Sequence, residues 1–119
     1  MPRRRQLALA MLSCIDDGVG AIRKSLADYG IEKKTLIFFI GDNGAPLKIH
    51  KYDAPGGGPG WDGSRNDPFN GEKGMLTEGG IRVPFVVYWK GMLGDTKSVE
   101  QSEYRPMVSS LDVAATIAR

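Results

Sequence analysis

The sequence predicts an α/β fold in which strands of a parallel or mixed sheet are flanked by helices and joined by a long Gly/Pro-rich loop. Three observations predict this fold. An amphipathic pattern at about residues 4–29 indicates a helix, and apolar runs at residues 35–40 and 85–89 indicate strands. A second helical pattern follows Ser109, after a polar connection. The order helix, strand, loop, strand, helix is typical of α/β proteins.

The first helix is predicted from apolar residues that recur at steps of three and four: Leu7, Met11, Cys14, Ile15, Val19, Ile22 and Leu26. We expect Gly30 to cap its C-terminus. Gly18 and Gly20 weaken the helix by about 1 kcal/mol each relative to alanine, and we expect them to mark close packing against the sheet. Cys14 is predicted to be a small buried residue on the apolar face. The Asp16 and Asp17 side chains are predicted to be solvated on the polar face.

A candidate metal site follows the first strand, in the run T-L-I-F-F-I-G-D-N-G at residues 35–44. Residues 35–40 show no polar alternation, which predicts a strand buried on both faces, as in a parallel sheet. Ligand chemistry in open α/β sheets lies just outside the carboxyl ends of strands. Asp42 and Asn43 stand there, and both carry hard oxygen donors of the kind that Ca²⁺ and Mg²⁺ prefer. The alternative is a simple turn, because Asn-Gly is a strong turn signal.

A second motif, at residues 71–84, reads G-E-K-G-M-L-T-E-G-G-I-R-V-P and leads into the strand-like F-V-V-Y-W. With both motifs in this order, the sequence resembles the formylglycine-dependent sulfatases of the alkaline-phosphatase-like superfamily. In that family a buried strand ends in G-D-N-G or S-D-N-G, and a Gly-rich loop then leads to K-G-x-x-x-E-G-G-x-R-x-P and another strand. The resemblance runs from about Arg5 to the end. It implies that residues 1–119 form the C-terminal portion of a sulfatase catalytic domain, with a partial alkaline-phosphatase-like fold.

The resemblance also implies an activity, the hydrolysis of a sulfate ester to an alcohol and sulfate. In the family a formylglycine hydrate attacks sulfur, and a bound Ca²⁺ polarises the sulfate oxygens. Carried over to this sequence, Asp42 and Asn43 are ligands of Ca²⁺, in preference to Mg²⁺, and Lys73 contacts the sulfate. An ammonium suits an anionic group, as hard oxygens suit the metal ion. Glu78 and Arg82 are expected to brace the turn through polar contacts.

The loop at residues 44–80 holds 10 of the 16 glycines and 4 of the 7 prolines, and it shows no periodicity. Long loops of this kind are usually functional or disordered. The resemblance places the loop across the mouth of the active site, so that His50, Tyr52, Trp61 and Arg65 become candidates for contacts with the organic part of the substrate. The alternative is that Trp61 and Phe69 only pin the loop to the body of the domain.

Several family features have no counterpart in these 119 residues. Cys14 lies in C-I-D-D-G, without the proline that follows the modified family nucleophile two positions later. Asp16 and Asp17 fall in a helical pattern, whereas the family's Asp-Asp pair follows a first strand. We therefore expect formylglycine in an N-terminal part missing from this chain, and we expect this chain alone to be inactive. Two alternatives stay open: a phosphoesterase or phosphomutase of the same superfamily, or a non-catalytic α/β binding fragment.

Composition restricts the partners. The formal net charge is +2, from 16 basic and 14 acidic residues, which gives no reason to expect nucleic-acid or membrane binding. No apolar run approaches the roughly 20 residues of a membrane-spanning helix, and the N-terminus does not have the pattern of a signal peptide. Localisation stays open, although the family is often periplasmic, secreted or lysosomal. The expected partner is a sulfated small molecule or carbohydrate.

Overall fold

The computed structural model describes residues 2–47, 63–93 and 103–118. In chain order these residues form helix α1, a short 3₁₀ helix, strand β1, helix α2, strand β2 and helix α3. Their bounds are Arg3–Asp28, Glu32–Lys34, Leu36–Ile40, Glu78–Ile81, Phe85–Trp89 and Leu111–Ile117. The predicted order of helix, strand, strand and helix is confirmed in the described residues.

Helix α1 ends where the sequence predicts, at a glycine in the left-handed region. Gly30 has φ +68°, and its N–H donates to the carbonyl of Ala27 at 2.9 Å. The N–H of Ile31 donates to the carbonyl of Leu26 at 3.0 Å. These two bonds form a Schellman motif, which satisfies carbonyls that the last turn would otherwise leave without partners.

The predicted apolar face of α1 is largely exposed. Among the described residues of this helix, Ala8 is the one that is buried. The side chains of Met11 and Ile15 are about half exposed. The prediction that Cys14 is buried is wrong, since its side chain is exposed. A Cβ built at Gly18 or at Gly20 would meet no atom within 4 Å, so these glycines do not mark close packing. Among the described residues, no helix is both long and apolar enough to cross a membrane.

Strands β1 and β2 pair antiparallel, so the expectation of parallel pairing is wrong for these two strands. The register sets Leu36 opposite Trp89 and Ile40 opposite Phe85. The strands are also not buried on both faces, because Val86 is 53% exposed and most other strand residues are half-buried. A sheet of only two strands buries its residues only where another element packs against it.

Antiparallel pairing has a direct consequence for the candidate site. It brings the end of β1 beside the beginning of β2, and the N–H of Gly41 donates to the carbonyl of Pro84 at 3.0 Å. The residues that follow β1 therefore lie next to the residues that precede β2. Those two segments carry the two motifs of the sequence.

A charged cluster joins the end of α1 to the sheet through Glu32, whose exposed fraction is 8%. One carboxylate oxygen lies 3.6 Å from the guanidinium of Arg23, and the other pairs with the ammonium of Lys90. Arg23 also stacks over the ring of Tyr88 at 4.8 Å. The indole N–H of Trp89 donates to the carbonyl of Lys33 at 2.7 Å. These contacts hold the 3₁₀ helix against β2.

The last helix begins with a capping arrangement that follows from its local sequence, S-S-L-D at residues 109–112. The backbone N–H of Ser109 donates to the carboxylate of Asp112 at 2.7 Å. The hydroxyl of Ser109 in turn accepts from the N–H of Leu111 at 3.3 Å. This reciprocal pattern satisfies N–H groups that the start of a helix leaves without partners.

We predict that Glu32→Gln lowers the free energy of unfolding by about 1.5–3 kcal/mol, because a hydrogen bond to a charged group contributes in that range. Urea denaturation measures the change. The matched control is Glu103→Gln, which removes an exposed pair with Arg105 and should change little. Equal effects of the two substitutions would show that burial of Glu32 adds nothing to its pairing.

Candidate metal and anion site

The Asp42 loop, residues 41–47, leaves the end of β1 and carries the candidate metal ligands. Asp42 is exposed and Asn43 is half-buried. One carboxylate oxygen of Asp42 accepts the backbone N–H of Asn43 at 3.0 Å. Both residues lie in the bend directly after β1, where the sequence places them, and their role as metal ligands stays a prediction.

The Lys73 segment, residues 71–84, packs backbone to backbone against the Asp42 loop. The N–H of Gly44 donates to the carbonyl of Gly80 at 2.8 Å. A Cβ built on Gly44 would lie 1.7 Å from the carbonyl oxygen of Gly79, a distance that no side chain tolerates. A Cβ on Gly79 would lie 2.3 Å from the carbonyl oxygen of Gly71. Glycine at these positions is required by close approach of the backbone.

Lys73 lies in a turn beside the Asp42 loop, and its N–H donates to the carbonyl of Ala45 at 3.3 Å. The residue is exposed. Across residues 2–47, 63–93 and 103–118, its ammonium has no hydrogen-bond or ion-pair partner. The backbone partner of Lys73, Ala45, lies two residues after Asn43.

Two polar side chains add further links between the loop and the segment. The side-chain amide of Asn66 bonds both the N–H and the carbonyl of Ala45, at 2.9 Å and 2.8 Å, and donates to the carbonyl of Gly71 at 3.0 Å. The carboxylate of Glu72 accepts the N–H of Leu47 at 2.5 Å. Side chains such as these satisfy backbone groups that an irregular loop cannot pair with itself.

The predicted bracing contact within the second motif is confirmed. Arg82 and Glu78 form an ion pair at 3.0 Å, one turn apart across α2. The guanidinium also lies 4.6 Å from the ring centre of Phe69. Arg82 thereby links the end of α2 to the preceding loop, which agrees with Phe69 pinning the loop to the body.

The donor set fits part of a hard-cation site. Asp42 and Asn43 supply a carboxylate and an amide oxygen, the donors that Ca²⁺ prefers. They account for only part of a shell of 6–8 oxygens. Within the described part of the chain, no three His, Cys, Asp or Glu side chains cluster closely enough to hold a metal ion. The remaining oxygens of such a shell would have to come from elsewhere.

Three of the four candidate substrate contacts, His50, Tyr52 and Trp61, lie outside the described residues. The fourth, Arg65, is exposed. Sequence reasoning missed Asn66, which connects to both motif segments. No periodicity or motif distinguishes Asn66 from other polar residues of a Gly-rich loop.

Comparison with known proteins gives a consistent result. The family model described as Sulfatase matches residues 3–119. An N-acetylgalactosamine-6-sulfatase of Mus musculus is 42% identical over 77 residues, which cover 65% of this chain and 13% of that protein. A steryl-sulfatase of Mus musculus is 35% identical over 105 residues, 88% of this chain and 15% of that protein. An arylsulfatase of Hemicentrotus pulcherrimus is 36% identical over 102 residues, 86% of this chain and 16% of that protein.

These curated relatives are much longer than the regions that this chain matches, since the chain spans only 13–16% of their lengths. No solved structure matches the chain.

We predict that Gly44→Ala lowers the free energy of unfolding by about 1–3 kcal/mol, the usual cost of forcing an extra carbon into packed structure. Thermal denaturation measures it. The matched control is Gly20→Ala, because a Cβ at Gly20 meets nothing within 4 Å. That substitution should instead stabilise α1 by about 0.5–1 kcal/mol. If Gly44→Ala is as stable as the unaltered chain, the two segments do not approach as described.

Proposed function

The chain belongs to the sulfatase family, and from that premise we propose that it forms the C-terminal part of a sulfatase catalytic domain that hydrolyses a sulfate ester to an alcohol and sulfate. The observation that carries the proposal is the backbone contact between the Asp42 loop and the Lys73 segment. It brings the backbone of the segment that carries Lys73 beside the loop that carries Asp42 and Asn43, which supports a shared site for these three residues. The family match favours sulfate esters over the phosphate esters of related enzymes.

Lys73 would bind the sulfate and oppose its charge. A sulfate ester is an anion, and negative charge shifts toward the leaving oxygen as the ester bond breaks. A fixed positive group near that charge lowers the barrier, because it needs no reorganisation when the charge develops. The N–H of Lys73 donates to the carbonyl of Ala45 at 3.3 Å, and this bond supports a fixed placement of the Lys73 backbone.

Asp42 and Asn43 would hold part of the Ca²⁺ site. In sulfatases of this type the metal polarises the sulfate oxygens, and a formylglycine residue supplies the nucleophile. This chain would contribute ligands to the metal site. It would not contribute the formylglycine, since Cys14 lacks the proline that follows the family nucleophile two positions later. The proposed work of these residues is to bind, orient and neutralise the sulfate.

The substrate we propose is a sulfated small molecule or carbohydrate. The relatives include proteins named for an amino sugar and for a sterol, so the family alone does not choose between these classes. Specificity would then depend on the loop between the two motifs and on segments beyond this chain.

We predict that Lys73→Met reduces kcat/KM for a sulfate ester by about 10²–10³, the usual cost of removing one charge-stabilising donor. Residues 3–119 would be grafted into the arylsulfatase of Hemicentrotus pulcherrimus in place of the matching region. Methionine keeps the aliphatic stem and deletes the charge. Turnover of a chromogenic aryl sulfate with Ca²⁺ measures the change.

The matched control is Lys34→Met, which removes another exposed ammonium at the opposite end of β1 and should leave turnover unchanged. The melting temperature of the grafted enzyme should stay nearly constant for both variants. If the Lys73→Met variant keeps the turnover of the unaltered graft, the assignment of Lys73 as a sulfate contact is wrong. If the Lys73→Met variant does not fold, Lys73 has a structural role instead.

A further inference from the structure

We propose that Asn66 is a positioning residue that sets the Lys73 segment against the Asp42 loop. It would thereby fix where the sulfate-binding ammonium lies relative to the metal ligands. The inference rests on the proposed function for the roles of Lys73 in sulfate binding and of Asp42 and Asn43 in metal binding. The contact that it describes can be tested without activity.

The side chain of Asn66 is half-buried, and three hydrogen bonds use its amide group. Its oxygen accepts the N–H of Ala45 at 2.9 Å. Its nitrogen donates to the carbonyl of Ala45 at 2.8 Å and to the carbonyl of Gly71 at 3.0 Å. Both amide hydrogens therefore have acceptors, and the reversed orientation would set two donors face to face.

The partners of Asn66 belong to the two motif segments. Ala45 lies two residues after Asn43, and Gly71 lies two residues before Lys73. The carbonyl of Ala45 also accepts the N–H of Lys73, at 3.3 Å. One side chain thus holds both backbone groups of a residue in the Asp42 loop and a carbonyl at the start of the Lys73 segment.

Asn66 also bonds the backbone at the point where the chain turns into the Lys73 segment. Gly71 has φ +97°, a conformation that lets the chain turn sharply into the Lys73 segment. The amide of Asn66 bonds the carbonyl at that turn, and so restrains the direction in which the segment leaves the loop. If shape alone mattered, a side chain of the same size without the amide hydrogens would serve equally well.

Two substitutions separate these possibilities. Asn66→Ala removes all three hydrogen bonds. Asn66→Asp keeps the size and the acceptor for the N–H of Ala45, but it sets a carboxylate oxygen against two carbonyl oxygens. The matched control is Asn70→Ala, because the side chain of Asn70 is exposed and its bond to Gly79 uses the backbone carbonyl.

The first readout is amide hydrogen exchange of the ¹⁵N-labelled chain, followed residue by residue. We expect exchange at Lys73 to become about tenfold faster or more in Asn66→Ala and in Asn66→Asp, the scale of losing one hydrogen bond. Amides of the β1–β2 pairing should keep their rates in both variants. Asn70→Ala should match the unaltered chain throughout.

The second readout uses Mn²⁺ as a paramagnetic probe, because this ion shares the oxygen preference of Ca²⁺. In the unaltered chain, Mn²⁺ should broaden the amide signals of residues 42–45 and also those of residues 72–74. In both Asn66 variants the first group should still broaden, and the second should broaden several-fold less. A purely structural role would not produce this split, since unfolding removes both effects.

The inference is overturned if exchange at Lys73 is unchanged in Asn66→Ala, or if Asn66→Asp behaves like the unaltered chain. It is also overturned if both variants lose the protection of the sheet, because Asn66 would then support the fold as a whole. If Mn²⁺ broadens neither group in the unaltered chain, the metal assignment of the proposed function fails. The exchange rates at Lys73 still decide the role of Asn66 in that case.

Discussion

Antiparallel pairing of β1 with β2 is the constraint on which the candidate site depends. Because Ile40 lies opposite Phe85, the chain that leaves β1 starts beside the chain that enters β2. In a parallel pair, the end of β1 and the beginning of β2 would lie at opposite ends of the two strands. The Asp42 loop and the Lys73 segment meet because the strands run in opposite directions.

Close contact between the two segments then requires backbone without side chains and polar groups that replace regular pairing. Gly44 allows the approach, since a Cβ there would strike the carbonyl oxygen of Gly79. Asn66 and Glu72 satisfy backbone groups of the Asp42 loop at 2.5–2.9 Å. An irregular loop can hold charged side chains in fixed places only when its backbone groups have partners of this kind.

Local sequence signals predict the elements well and their packing poorly. The left-handed cap at Gly30, the capping of α3 by Ser109 and the pair of Glu78 with Arg82 all follow from neighbours in sequence. The motifs also assign Asp42 and Lys73 to one site, and that assignment stays a prediction. Of the predicted parallel or mixed sheet, parallel pairing is wrong for β1 and β2, because an apolar run carries no information on the direction of pairing. Burial of Cys14 was wrong because periodicity shows which face is apolar, not whether another element covers it.

The central claim is that Asp42 and Lys73 act on the same sulfate, and a double-mutant cycle tests it most directly. In the grafted arylsulfatase, kcat/KM would be measured for Asp42→Ala, for Lys73→Met and for the variant that combines them. Groups that act as a unit are strongly non-additive, so the combined loss should fall far below the product of the two single losses. Two losses that simply multiply would show independent sites and would contradict the account.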